Sequence, residues 1–446
     1  MGELTSAETS IAKPSFKEAF YFWLKLGFIS FGGPAGQIGI MHTFLVDQKK
    51  WISDRKFLHA LNYCMLLPGP EAQQLAIYIG WLLHGTIGGI VAGSLFVLPS
   101  VFILTGLSTI YVMFGKIPWV YALFYGLKPA VVAIVILALI KISKKSLLSI
   151  FHVAMAILSF IGIFFLDIPF PYIILGAILI GWLARKFTPS LFKENKSAED
   201  IAKNESGYYL NMDTEIPGTG FHAFRLLKQI LVIAALWLLP FLLFSASQGA
   251  DFWKKLTLFF TKAAFVTVGG AYAVLPYVAQ VAVEDFNWLT KLEMIDGLAL
   301  GETTPGPLIM VLAFVGFLAG YHHFGGSVLT GALGLFTTTY YTFLPCFLFI
   351  LAGAPIIEKT QSNKSIKAIL SVVTAAVVGV VLNLTVYFAQ AVIFPNRLAI
   401  AGIDYFSLAW IIISFVAMYR FKIGMITWIG ISALAGLIHY LVTQVL

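Results

Sequence analysis

Long apolar stretches separated by short charged ones make up most of the chain. One helical crossing of a bilayer needs about 20 apolar residues. The stretches are continuously apolar rather than alternating, which predicts helices and not barrel strands. The two longest must each hold two segments, divided at His84-Gly85 and at Tyr321-His322-His323. The stretches without Asp, Glu, Lys or Arg are 72–115, 129–140, 146–166, 168–184, 229–250, 303–357, 368–396, 405–419 and 423–446.

The composition excludes several classes of protein. Hydrophobic residues form 59% of the 446 and charged residues 11%, against roughly 25% charged in an average soluble domain. So few charges exclude a soluble multidomain enzyme, and the apolar content excludes disorder. The two cysteines, Cys64 and Cys346, lie in apolar runs, which favours two small buried side chains over a redox pair. The net charge of +8 indicates basic cytoplasmic loops rather than binding to nucleic acid.

The two halves of the chain resemble each other under one constant shift, the repeat shift, which places Lys25 on Lys262. Under the repeat shift, the sequence predicts that the two halves align without a gap. Matches at Pro, Gly and Trp are informative, because any two membrane helices share Leu. The repetition predicts a duplicated membrane unit. The other matched positions are Gly32-Gly33 with Gly269-Gly270, Trp51 with Trp288, Pro68-Gly69-Pro70 with Pro305-Gly306-Pro307, and Gly88-Gly89 with Gly325-Gly326.

The distribution of Lys and Arg predicts that the two units are inverted. Basic loops near 141–145 and 185–186, and again near 359–367, are expected on the cytoplasmic side. Counting crossings from these loops places His84 in the cytoplasm but His322 and Leu446 in the periplasm. We therefore predict an all-α polytopic membrane protein of roughly 10–14 membrane segments, built from two inverted-topology repeats with broken helices.

The same pattern divides the chain into five parts. A charged segment with Pro189 and Pro217 predicts a cytoplasmic linker between the repeats. One further helix after it supplies the odd crossing that inverts the second repeat. The predicted parts are a cytoplasmic tail (1–14), the first repeat (15–187), the linker (188–228), a connecting helix (229–250) and the second repeat (251–446).

Each repeat begins with short, interrupted segments, which in the first are about 15–31, 34–47, 56–67 and 70–83. Proline removes a backbone donor and glycine permits non-helical dihedrals, so Pro-Gly-Pro predicts a helix that stops and restarts. Pro70 and Pro307 suit the first position of the new helix. The N–H groups of a restarted helix form an anion site. The alternative is a kink that only improves packing.

Polar side chains near the breaks are candidates for chemistry. Lys25 and Lys262, two turns before each Gly-Gly, are either counter-charges for an anion or lysines that snorkel to the interface. Glu71 and Glu302 are candidates for proton coupling, because an ionised carboxylate would repel an anion. The predicted substrate-binding residues are Lys25, Gly32, Gly33, Pro68, Gly69, Pro70, Gln73, Gln74, Lys262, Gly269, Gly270, Thr303, Thr304, Pro305, Gly306 and Pro307.

Motifs for other activities are absent from the sequence. There is no GxxxxGK[ST] motif for ATP hydrolysis, no HExxH, no spaced Cys/His cluster and no GxSxG. We therefore predict no catalytic residue, no metal and no cofactor. A transporter of an oxyanion is the first hypothesis, and an intramembrane enzyme or lipid-handling protein is the second.

The motifs around the breaks resemble those of the chromate ion transporter family in its long, two-domain form. The resemblance rests on FGGPAGQ (31–37), PGPEAQQL (68–75), GWLLH (80–84), VGGAYAVLP (268–276) and GETTPGPLIM (301–310). It implies export of chromate across the bacterial inner membrane, chromate resistance and use of the proton motive force. Chromate or a sulfate-like oxyanion and the lipid bilayer are the implied partners, with a homodimer left open. Gly85 stands where many members carry a basic residue.

Overall fold

A computed structural model describes residues 12–31, 33–65, 67–188, 191–192, 207–212, 214, 223–357, 364–395 and 399–445. Regular structure in these ranges is helical, with one isolated bridge between Ile52 and Leu210. Seven of the helices described are long and apolar enough to cross a membrane, and three shorter ones are also apolar. The prediction of an all-α polytopic membrane protein is confirmed.

The first repeat contains seven α-helices, and one more helix connects it to the second. Helix α4 is broken at Gly85, where φ is +65°, and we call its parts α4a (71–83) and α4b (86–114). The helices are α1 (Phe16–Ile29), α2 (Gly33–His42), which continues as a π-helix (Thr43–Gln48), α3 (Asp54–Cys64), α4 (Glu71–Phe114), α5 (Pro118–Ser146), α6 (Ile150–Phe164), α7 (Phe170–Phe187) and α8 (Ala223–Ser245).

The second repeat contains eight α-helices and uses the same order of elements. These are α9 (Ala250–Val266), α10 (Ala271–Ala279) with its π-helix (Gln280–Asp285), α11 (Lys291–Thr303), a 3₁₀ turn (Leu308–Met310) leading into α12 (Val311–His323), α13 (Val328–Ile357), α14 (Lys364–Ile393), α15 (Tyr405–Tyr419) and α16 (Met425–Val445).

Backbone details confirm the duplication residue by residue in the early part of each repeat. The repeat shift places the first π-helix on the second and the capping residue Ser53 on Thr290. It also places Lys50 on Asn287, and these two have positive φ angles of 52° and 51°. Such dihedrals are uncommon for residues other than glycine. Two segments that share them at equivalent positions have the same fold.

The gap-free alignment is wrong in the later part of the repeats. The repeat shift places the start of α5 inside α13, whereas its equivalent α14 begins further along the chain. It likewise places the start of α6 inside α14, whereas α15 is the equivalent helix. The turn at Gly325-Gly326 corresponds to the break at His84-Gly85, and Gly88-Gly89 lies inside α4b. The extra residues fall in connections between helices, where the surface tolerates insertions.

The short helices of each repeat form hairpins that open at one end of the molecule. In the first repeat, Lys49 pairs with Glu18 (2.8 Å) and His42 contacts Asp54 (2.7 Å). The ring of His84 contacts the Pro14 carbonyl oxygen (2.9 Å). The start of α1, the start of α3 and the ends of the first π-helix and α4a therefore meet at one end, which we call the first end.

The hairpins of the second repeat open at the opposite end. His322 contacts the Trp288 carbonyl oxygen (2.8 Å) and lies 3.6 Å from Glu293. Helix α4b leaves the first end at residue 86 and brings Tyr111 into contact with Asp296, close to Glu293 on α11. We call this the second end. Equivalent elements open at opposite ends, so the inverted arrangement of the repeats is confirmed.

The later helices intertwine the two repeats. Helix α14 of the second repeat packs against α6 and α7 of the first, and α5 of the first packs against α15 and α16 of the second. Small residues allow this close approach. A Cβ on Gly126 would lie 2.6 Å from the backbone nitrogen of Gly436, and one on Gly379 would lie 2.8 Å from that of Phe160. The repeats therefore form one packed unit.

Helix α8 lies on the outside of this unit and buries none of its residues. It begins at Ala223, inside the predicted linker. Most of the predicted linker 188–228 lies outside the described residues. Part of it, however, contacts the first end, where the N–H of Ser53 donates to the carbonyl of Leu210 (2.8 Å). The predicted boundaries of the repeats stay a prediction, and Leu446 is not among the described residues.

The opposite orientation of the ends predicts a labelling result. Gln48 and Asp285 are equivalent, exposed and last in their π-helices. In a protein lacking Cys64 and Cys346, we expect Gln48→Cys to react with an impermeant thiol reagent only from the cytoplasm. Asp285→Cys should react only from the periplasm. Reaction of both from one side would contradict the predicted topology.

Candidate functional site

The tips of the hairpins meet inside the molecule, and each break contacts one of the other repeat. The N–H of Gly69 donates to the carbonyl of Thr267 (2.7 Å), and the N–H of Gly306 donates to the carbonyl of Ser30 (2.8 Å). The repeat shift relates the two pairs. The Pro-Gly-Pro break of each repeat is therefore bonded to the chain just before the Gly-Gly break of the other. We call this region the junction.

The glycines of the junction have backbone conformations that other residues rarely adopt. The φ angle is +120° at Gly69 and +98° at Gly306, and both residues are buried. A Cβ on Gly69 would lie 2.8 Å from Cys346 Sγ, and one on Gly306 would overlap Ser100 Oγ. Ser100 Oγ in turn donates to the carbonyl of Pro305 (2.5 Å). Only glycine fits the two positions without displacement of neighbours.

Helices restart on both sides of the junction. Helix α4a begins at Glu71 and α10 at Ala271, while α2 begins at Gly33 and α12 follows the 3₁₀ turn. The first N–H groups of a helix have no partner within it, and they carry the positive end of the helix dipole. Pro70 is the N-cap of α4a rather than its first residue, and Pro307 precedes the 3₁₀ turn. The predicted first-position role is thus wrong by one residue, because ψ of Pro70 is still extended at 109°.

Three glutamine side chains of the first repeat lie buried at or next to the breaks. Gln37 Nε2 donates to the carbonyl of Gly306 (2.5 Å), and Gln74 Nε2 donates to that of Pro68 (2.6 Å). Gln73 is fully buried, and neither its amide nitrogen nor its amide oxygen has a hydrogen-bond partner among the described residues. Buried amides are normally paired. Gln73, in the first turn of α4a, is therefore the side chain of the predicted set best suited to bind a ligand.

The two predicted threonines lie at the junction with their hydroxyl groups already engaged. Thr303 Oγ1 donates to the carbonyls of Ala299 and Leu300, and Thr304 Oγ1 donates to that of Gly301. Each hydroxyl has one proton, so donation to a ligand requires rotation away from these carbonyls. Their binding role stays a prediction.

The two predicted carboxylates have different surroundings. Glu302 is buried and accepts a hydrogen bond from the hydroxyl of Tyr272. Glu71 is half-buried, and its Oε1 would lie 3.7 Å from a Cβ on Gly270. Glu71 therefore sits beside the N-terminus of α10, where a negative charge is favoured. Both carboxylates lie at breaks, as the sequence predicts, and their proton-coupling role stays a prediction.

The structure does not bring Lys25 and Lys262 to the junction. Both side chains are exposed on the outer faces of α1 and α9. Lys25 lines a groove of about 440 Å³ with Gly36, Gly39 and Gln48. Their role as counter-charges stays a prediction. Gly32 is outside the described residues, whereas Gly33, Gly269 and Gly270 have positive φ angles in the turns between the hairpin arms.

Sequence reasoning missed two sets of residues. Gln37 is not among the predicted site residues, although it lies four residues after the first Gly-Gly break. Lys128 and Asp296 form a buried ion pair with their charged atoms 3.1 Å apart. Lys128 directly precedes the apolar stretch 129–140 and lies inside α5. An ionisable residue at that depth is itself a signal of function. Among the described residues no group of three or more His, Cys, Asp or Glu could hold a metal.

The sequence comparisons identify relatives over nearly the whole chain. A "Chromate transport protein" from Cupriavidus metallidurans is 27% identical over 443 residues, covering 98% of this chain and 97% of that protein. A "Chromate transport protein" from Pseudomonas aeruginosa is 29% identical over 444 residues, covering 97% and 95%. A "Probable chromate transport protein" from Synechococcus elongatus is 27% identical over 432 residues, covering 96% of each. No solved structure matches the chain.

The family model described as "Chromate transporter" matches the chain twice, at residues 17–182 and 254–437. The two matches coincide with α1 to α7 and with α9 to α16, so each repeat is one copy of the family's unit. The repeat shift relates their starts, and the second match is the longer, as the extra residues between its helices require. This multi-pass membrane protein therefore belongs to the chromate transporter family.

Proposed function

We propose that the protein exports chromate across the bacterial inner membrane and binds it at the junction. The observation that carries the proposal is the Gln73 amide, which is fully buried in the first turn of α4a beside the Pro-Gly-Pro break and has no hydrogen-bond partner among the described residues. Backbone N–H groups and an amide NH₂ donate hydrogen bonds without bringing a fixed charge. This suits a reversible anion site, because a transporter must also release its substrate.

Chromate is proposed from family membership, because the geometry alone does not choose among oxyanions. Chromate and sulfate share charge and tetrahedral shape, so sulfate or another oxyanion is the alternative substrate. Moving one charge through 100 mV is worth about 2.3 kcal/mol, so a dianion gains roughly 4–5 kcal/mol on leaving a negative interior. Export is then favourable even without protons, whereas import needs a coupled ion. Chromate resistance is the expected consequence for the cell.

Two carboxylates can connect this anion site to protons. Ionised Glu71 beside the start of α10 occupies a position that favours an anion, and it would therefore compete with chromate. Protonation would remove that competition. Glu302, buried beside Tyr272, is the second candidate. Lys25, in its groove between α1 and α2, is placed to attract anions at long range rather than to contact them at the junction.

The proposal is tested by uptake of labelled chromate into inside-out membrane vesicles. We expect accumulation that requires the protein, is stimulated by an imposed membrane potential and is inhibited by sulfate in excess. Vesicles from cells that carry an empty vector are the control. Lack of accumulation at any pH or potential would contradict transport. It would leave the second hypothesis, an intramembrane enzyme or lipid-handling protein.

A further inference from the structure

A buried contact between charged residues joins the two repeats at some distance from the junction. Lys128 Nζ on α5 lies 3.1 Å from Asp296 Oδ1 on α11. The hydroxyl of Tyr111 on α4b donates to Asp296 Oδ2 (2.9 Å). Lys128 and Tyr111 belong to the first repeat and Asp296 to the second. The side chains of Lys128 and Asp296 are 7% and 5% exposed.

Stability alone is a poor reason for such a pair. The loss of hydration on burying two charges offsets most of their attraction, and well-packed apolar residues would serve as well. Ionisable residues inside a membrane protein are rare and mark the paths of ions and protons. Lys128 is further held over the ring of Tyr121, 5.3 Å from its centre. The arrangement thus holds one cation and one carboxylate together at a contact between the two repeats.

The position of Asp296 links the second end to the junction. One turn before it on α11, Glu293 lies 3.6 Å from His322. Two turns after it, α11 ends at Thr303 in the junction. Exposure falls from 40% at His322 to 23% at Glu293 and 5% at Asp296. A proton entering from the second end meets these groups in that order.

We propose that Asp296 is a proton-binding residue of the transport cycle, with Lys128 as its counter-charge. The proton binds a carboxylate oxygen of Asp296, Lys128 keeps its own protons, and the charge of the pair rises from zero to +1. The neutral acid no longer attracts the ammonium group, so the contact between α5 and α11 loosens. The added positive charge favours an anion at the junction, and loss of the proton restores the pair.

The ionisable groups that act on Asp296 come from three elements. Tyr111 on α4b and Lys128 on α5 are in direct contact, and Glu293 acts through space from α11 itself. Helices α14 and α16 also pack against α11. Their ionisable groups Tyr387 and His439 contact other residues: the ring of Tyr387 is covered by Lys291 at 4.2 Å, and His439 stacks on Tyr125. Lys128 is thus the cation in direct contact with Asp296, and Glu293 is the carboxylate one turn before it on the same helix.

The proposal rests on the proposed function, and the test separates the two. Purified protein in liposomes is assayed for exchange of labelled for unlabelled chromate without a gradient, and for accumulation driven by a pH gradient. For Asp296→Asn we expect exchange to persist, while gradient-driven accumulation falls by about tenfold or more and the pH dependence of exchange flattens. Absence of exchange in the unaltered protein would contradict the proposed function. Exchange without any pH dependence would overturn this inference alone.

Two further variants keep the test decisive. Asp296→Asn leaves the charge of Lys128 buried without its counter-charge. The double variant Lys128→Met with Asp296→Leu removes both charges. It should also exchange chromate but should not accumulate it in response to a pH gradient. The matched control is Asp404→Asn, which alters another Tyr–Asp hydrogen bond, the one from Tyr125 (2.6 Å), where the described residues place no lysine in an ion pair with the carboxylate. Asp404→Asn should keep accumulation driven by the pH gradient. Normal proton drive in both Asp296 variants would overturn the proposal, as would loss of exchange in the folded double variant.

Discussion

Gly69→Leu and Gly306→Leu are expected to abolish chromate transport while the protein still inserts in the membrane. Both glycines have strongly positive φ angles, which cost other residues roughly 1–2 kcal/mol. Overpacking against Cys346 and Gln74 at Gly69, or against Ser100 at Gly306, adds about 1–3 kcal/mol. The strain falls on the tips that donate to Thr267 and Ser30, so the helix starts around the anion move apart.

The measurement is initial uptake of labelled chromate into inside-out vesicles, normalised to the amount of folded protein in the membrane. A loss of about hundredfold or more is expected for each variant, from a combined strain near 3 kcal/mol. Gly106→Leu is the matched control, because Gly106 is exposed on α4b and a Cβ there meets nothing within 4 Å. Normal uptake by either junction variant would contradict a role of Pro-Gly-Pro in binding the anion and would favour a kink that only improves packing.

The duplication, the breaks and the inversion could be predicted because each has a local cause. Proline and glycine interrupt a helix wherever they stand, so Pro68-Gly69-Pro70 and Pro305-Gly306-Pro307 identify the turns directly. Basic loops indicate sidedness through their own charge. The structure adds that the same tripeptides reach across to the other repeat, where Gly69 meets Thr267.

The orientation of side chains on α1 could not be predicted in the same way. In a soluble helix the apolar face marks the core, but a membrane helix is apolar towards lipid as well. Lys25 lies two turns before the Gly-Gly break, and distance along the helix suggested a role there. It shares the outer face with Tyr21 and Phe28, whereas Phe22, Trp23 and Leu26 face the core.

Contacts between distant parts of the chain were also beyond sequence reasoning. Gln37 reaches Gly306 across 269 residues, and Lys128 meets Asp296 across two different helices. No pattern within one segment encodes such a pairing. The sequence also did not show that the gap-free alignment fails in the later helices, because insertions in loops leave the apolar pattern of the helices unchanged.

Gln73→Met is expected to weaken chromate binding without destabilising the protein. Methionine has nearly the same size and stands at the equivalent position of the second repeat, Met310. The substitution removes two buried polar atoms that have no partner among the described residues, which is neutral or stabilising for the fold. A hydrogen bond to a charged group is worth about 1.5–3 kcal/mol, so the chromate concentration for half-maximal transport should rise about 10- to 150-fold.

The combination of the two readouts distinguishes a ligand site from a structural amide. The melting temperature of the purified protein in detergent should stay level or rise, while transport at low chromate concentration falls. Ser414→Ala on α15 is the control, because Ser414 is also fully buried, its hydroxyl has no partner within the described part of the chain, and it lies outside the junction. The melting temperature of Ser414→Ala should behave like that of Gln73→Met. Its chromate transport, however, should equal that of the unaltered protein. A lower melting temperature with unchanged half-saturation in Gln73→Met would assign the amide to folding and leave the backbone N–H groups to hold the anion.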